Sequence, residues 1–126
     1  MSSSRASLYE VTNRTRRAPV ARRSRVAKSF LQRMIGLMGR STWGSQDGLW
    51  ITPCNSVHTA FMRFPIDVIF LNEERRVLAC KTLMPWRMTG LVWGSRGVLE
   101  CPAGVIARSQ TRPGDELEFQ EPPHHV

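Results

Sequence analysis

The chain has 126 residues, 41% of them hydrophobic, and a formal net charge of +8. That length suits one domain with a single substantial core and needs no disulfide or metal to hold it. No apolar run reaches the roughly 18 residues that cross a bilayer, and the start lacks the apolar segment of a secretory signal, which makes the cytoplasm the default location.

The charge is unevenly placed. Residues 1–40 carry ten Arg or Lys against Glu10 alone, while residues 41–126 carry eight against nine acids. Residues 1–7 are small and polar and are expected to be disordered. A short strand over 8–12, a basic loop over 13–19 and a strand over 20–27 follow. Neither face of that second strand is cleanly apolar, so the pair reads as an edge hairpin whose arginines discourage pairing with other chains. Ser29 is a candidate N-cap for a helix over 30–38, with Phe30, Met34, Leu37 and Met38 on one stripe and Gly39 closing it.

Leu49, Trp50 and Ile51 form a strand stopped by Pro53. The densest apolar block, 58–71, is split by Pro65, which lacks the N–H of a central ladder and biases Phe64 towards an extended shape. Two strands meeting at a corner are expected there. The charged connection 72–76 leads into 77–82, which predicts an antiparallel hairpin over 66–82. An irregular stretch punctuated by glycines runs to Gly97. A strand over 98–101 comes next, then a helix starting at Pro102 and ending near Ser109. The turn Pro113-Gly114-Asp115 opens a last strand, 116–119, and 120–126 should fray.

Six blocks in order, RMIGLMGR at 33–40, PCNSVHT at 53–59, FMRFPID at 61–67, PWR at 85–87, VLECPAG at 98–104 and GD at 114–115, resemble the domain of unknown function 192 family (DUF 192). The resemblance covers nearly the whole chain, about 8–119. It implies one mainly β (α+β) domain, a compact antiparallel barrel-like or sandwich-like arrangement with two short helices. It implies no particular reaction, and the chain is similar to the shorter soluble members rather than those that begin with a secretion signal.

Cys54, Cys80 and Cys101 are odd in number and far apart, which points to reduced, mostly buried thiols and not to a disulfide framework. No metal-ligand spacing is present, and no metal or cofactor is expected. Cys54 and His58 invite a nucleophile-and-base reading, yet in an extended chain they stand about 13 Å apart. A tight turn at Asn55 and Ser56 is the one local way to join them. Arg63 and Asp67 flank the Pro65 corner, where Asp67 is expected to secure the bend with Arg63 or with loop N–H groups. Glu100 reads as solvent-exposed and Asp115 as a turn residue.

The favoured function is a concave site lined by His58, Arg63, Trp86 and Arg87 that binds a small polar or anionic ligand without catalysis, supported by Asn55, Asp67 and Glu100. One alternative is nucleic-acid binding, with phosphate contacts from the arginine-rich N-terminal hairpin. Another is an enzyme using His58 and Glu100 on a small substrate. The ligand, protein partners and oligomeric state are not legible in the sequence.

Overall fold

In the computed structural model, which describes residues 8–27, 44–60 and 62–121, the apolar run beyond Pro65 becomes a central strand of a curled sheet. The described strands are β1 (Leu8–Asn13), β2 (Ala18–Ala27), β3 (Asp47–Ile51), β4 (Ile66–Leu71), β5 (Val77–Leu83), β6 (Gly97–Pro102) and β7 (Leu117–Gln120), with one short helix, α1 (Val105–Ser109). They form a seven-stranded sheet in the order β5-β4-β6-β3-β2-β1-β7. All neighbours are antiparallel except β2 and β3, which run parallel. The domain is therefore mainly β, with a mixed sheet.

The sheet curls until its outermost strands meet. Arg76 and Glu116 pair across the gap, Val77 N–H reaches Asp115 O at 2.8 Å and Leu117 N–H reaches Arg75 O at 2.9 Å. The result is a half-barrel sealed at one end.

Every residue of β4 is buried, because both faces of the sheet are covered. Alternation sends Ile69 and Leu71 inward, to a core with Val11, Val20, Trp50, Leu99, Cys101, Val105 and Leu117. Ile66, Val68 and Phe70 face outward, to a second core with Leu49, Ile51, Val57, Met62, Leu83 and Val98. The β4–β5 hairpin forms as its sequence predicts, pairing Ile66 with Leu83 and Val68 with Lys81. Gly97 is required where β6 crosses β3, since a Cβ there would sit 2.5 Å from the Trp50 ring.

Several sequence expectations change. The hairpin of β1 and β2 is not at an edge, because β3 and β7 flank it. Its unclear faces come from irregular register, which shifts twice between Tyr9 and Thr12 and leaves Val20 and Ala21 both buried. Arg22 and Arg23 N–H both reach Gln46 O, at 2.9 and 3.0 Å. No strand leads directly into Pro65; the described residues of 52–65 are irregular apart from one bridge at His58. Pro102 ends β6 instead of starting a helix. It lies past the last β3 partner, Glu100 opposite Leu49, so its missing N–H leaves no ladder bond unmade on that side. The left-handed Gly104 (φ 106°) then turns the chain into α1. The helix expected over 30–38, with Ser29 and Gly39, lies outside the described residues, as do 1–7 and 122–126.

Candidate functional site

Residues 54–60 and 84–96 form a layer over the outward core. They run antiparallel, with Thr59 N–H bonded to Arg87 O and Thr89 N–H to Val57 O, each at 2.8 Å. Val92 N–H reaches Asn55 O at 2.9 Å and Cys54 N–H reaches Arg96 O at 3.1 Å. His58 and Met88 pair between them. The Thr89 hydroxyl accepts from Val57 N–H at 2.9 Å, and the Ser95 hydroxyl donates to Cys54 O at 2.8 Å.

Thr59, fully buried, organises this layer. Its hydroxyl donates to Met84 O at 2.7 Å and accepts from Arg87 N–H at 2.8 Å. A β-turn is commonly closed by a bond from the first carbonyl to the fourth N–H. Here the threonine hydroxyl stands between those two groups and satisfies both. Thr59 O also accepts from Trp86 N–H at 3.0 Å. The turn thereby holds Trp86 at φ 62°, a left-handed conformation that is strained for a bulky side chain.

The lacing brings His58, Trp86 and Arg87 into one neighbourhood, and Arg63 follows the turn in which Met62 N–H bonds Thr59 O at 3.1 Å. Trp86, Arg87 and Arg63 are exposed and His58 is half-buried. His58 Nδ1 accepts from Ala60 N–H at 3.3 Å, so in the neutral ring the proton sits on Nε2. Asn55 is exposed and contributes its carbonyl to the layer.

Asp67 does not face Arg63. Its buried carboxylate accepts from the Thr82 hydroxyl at 2.6 Å, from Gly104 N–H at 3.1 Å and from Ile106 N–H at 2.8 Å. It thus fastens β4 to β5 and to the start of α1 instead of securing the Pro65 corner. Arg108 anchors the other end of that helix, donating to Pro19 O and Val20 O at 3.0 Å each. Glu100, expected at the surface, is fully buried opposite Leu49 and Val68. Both of those partners pack in the outward core, so the Glu100 side chain leaves β6 beneath the layer that carries His58.

Cys54 Sγ donates to Ser56 O at 3.0 Å, so both members of the supposed Cys54–His58 pair are tied to nearby backbone. Burial pushes the Cys101 thiol far above its usual pKa, and the Asp67 and Glu100 carboxylates push it further. Among the described residues no group of three or more His, Cys, Asp or Glu is placed to hold a metal ion.

Asp115, read as a turn residue, is a buried anchor. Its Oδ2 accepts from Asn13 Nδ2, Arg16 Nε and Arg112 N–H, each at 3.0 Å. Burial alone would raise its pKa, but these bonds and the Arg16 charge outweigh it and hold the carboxyl below the usual range. Arg16 is thereby committed to the fold, and Arg23 pairs with Asp47 at 3.3 Å. Arg14, Arg17, Arg22 and Arg25 are exposed.

The sequence model of DUF192, described as Uncharacterized ACR, matches residues 11–119. A UPF0127 protein of Pyrococcus furiosus is 35% identical over 100 residues, which cover 75% of this chain and 84% of that protein. Another, from Thermococcus sibiricus, is 32% identical over 113 residues, covering 86% of this chain and 73% of that one. The crystal structure of a protein of unknown function from Novosphingobium aromaticivorans has the same fold, with a TM-score of 0.73 at 25% identity over 88% of this chain and 83% of that one.

Proposed function

The chain belongs to the DUF192 family, and from that starting point we propose that it is a non-catalytic binding module for a small polar or anionic ligand, held by His58, Arg63, Trp86 and Arg87. The observation that carries this reading is the turn at 84–87, which the buried Thr59 hydroxyl holds in a strained form beside residues 58–60. Backbone strain kept in place by a buried side chain is characteristic of binding and catalytic sites. Arg63 and Arg87 supply guanidinium groups suited to a carboxylate or phosphate, His58 a ring N–H, and Trp86 an apolar wall.

Binding without reaction is favoured because Cys54 Sγ and His58 Nδ1 each bond nearby backbone. The test is a thermal-shift panel of inorganic phosphate, sugar phosphates and dicarboxylates. A true ligand at about a hundredfold excess over Kd raises Tm by about 10 °C. Arg63→Ala and His58→Ala should abolish that rise; a panel in which nothing stabilises wild type more than these variants overturns the reading.

A further inference from the structure

The exposed large apolar side chains among the described residues are Met84 (56%), Trp86 (61%), Met88 (74%), Leu91 (65%) and Trp93 (89%), and all fall within the single run 84–93. The same run has an inward side. Thr89 is buried and Val92 packs on the outward core, while backbone bonds hold the run to 55–59. The five apolar side chains are therefore exposed on the outer side of a layer that is already fastened down.

Charge in the flanking segments has one sign, with the acids Glu73 and Glu74 lying beyond them in the β4–β5 turn. Residues 52–66 and 77–99 contain Arg63, Lys81, Arg87 and Arg96, all exposed, and neither Asp nor Glu. Lys81 pairs with Val68, and its neighbours at alternate positions, Ala79 and Leu83, both pack in the outward core. Its side chain thus leaves the sheet on the side that the layer covers.

A peptide partner calls for a groove with walls, whereas a ring as exposed as that of Trp93 projects into its surroundings. Indole rings on loops, flanked by cations, suit the headgroup zone of a bilayer, which accepts an apolar body with a polar edge. We infer that the 84–93 layer docks on membranes that carry anionic phospholipid. Trp86, Met88, Leu91 and Trp93 enter the headgroup zone, and Arg63, Lys81, Arg87 and Arg96 meet the phosphates. This is adsorption, not spanning. It shares Arg63, Trp86 and Arg87 with the proposed ligand site but rests on Met88, Leu91 and Trp93, which that site does not use.

The test is co-sedimentation of the full chain with phosphatidylcholine vesicles, with and without phosphatidylglycerol, alongside tryptophan emission. The inference expects binding only to the anionic vesicles, with a blue shift, weakened by salt. Leu91→Ser combined with Trp93→Ser should lower affinity at least about tenfold, and Lys81→Ala or Arg96→Ala about fivefold each. All of these variants should keep the wild-type Tm and any phosphate-induced thermal shift. No sedimentation with anionic vesicles overturns the inference, and so does undiminished binding by the double serine variant. A wild-type dimer that this variant dissolves makes a second copy the occupant, and tighter binding to polyglutamate than to vesicles makes it an acidic protein; either refutes the lipid assignment. A phosphate thermal shift that survives failure of the vesicle experiment leaves the ligand site standing, and the converse result leaves only the membrane surface.

Discussion

Thr59→Val removes one hydroxyl and keeps the side-chain shape. It strips Met84 O of a donor at 2.7 Å and Arg87 N–H of an acceptor at 2.8 Å. Two ordinary hydrogen bonds are together worth about 1–3 kcal/mol net. Residues 84 and 87 are exposed, so water can replace part of what is lost, and Trp86 can relax from a conformation that costs about 1–3 kcal/mol. Both effects pull the net loss to the low end, about 1–1.5 kcal/mol. The change should be local as well as small. Urea unfolding should show that loss, amide exchange should accelerate at Trp86 and Arg87, and the amides of β4 should slow or quicken only with global stability. Thr59→Ser, which keeps the hydroxyl, should restore protection at Arg87. Unchanged exchange at Arg87 in the valine variant, with stability within about 0.5 kcal/mol of wild type, would refute the role given to this hydroxyl.

Two further substitutions test the anchors beneath the layer. Asp67→Ala deprives the Thr82 hydroxyl and two N–H groups at the start of α1 of their acceptor, and should cost about 3 kcal/mol in urea unfolding. Asp67→Asn can aim its oxygen at the helix and its amide at Thr82, and should cost about 1 kcal/mol; equal losses in the two variants would contradict the capping geometry. Asp115 has a depressed pKa in the folded protein, so its charge contributes stability that is complete above the unfolded pKa, about 3.9, and is lost as pH falls through the folded value. Asp115→Asn should therefore be less stable at neutral pH but lose less on acidification below about pH 5; an acid limb as steep as that of wild type would show that Asp115 does not shape it.

The scaffold was legible where one physical signal dominated. Ile66 to Leu71, followed by a polar connection and a second apolar run, permits little besides the hairpin that forms. Residues 58–64 belong to the same apolar block, yet the described ones are held by Thr59 and by pairing with 84–89, not by a sheet ladder. Apolar content alone does not separate these outcomes. Glu100 was misplaced because strand alternation tells which residues share a face but not whether that face meets water. Here both faces of β6 are covered. Among the candidate residues, His58, Trp86 and Arg87 converge because their segments pair, whereas Asp67 turns to the start of α1, where Gly104 is 37 residues further on. Thr59 gave no signal at all, since a threonine in an extended-looking run is an ordinary strand residue until its hydroxyl is seen between two backbone groups.

Among the described residues, packing accounts for the inward side of 84–93 but not for the exposed side chains of Met88, Leu91 and Trp93. Thr89, Val92 and the bonds to Thr59, Val57 and Asn55 would all persist if Met88, Leu91 and Trp93 were polar. Water would then be a better solvent for them, and the loop less prone to association. At position 86 glycine would accept the positive φ without strain, yet the residue is tryptophan. Two features that disfavour the isolated domain thus coincide in one ten-residue run fastened to a rigid half-barrel. The fully buried β4 shows neither. Packing among the described residues explains the buried strand completely and the run only by half, and the proposed docking surface rests on that unexplained half, with the barrel as its support.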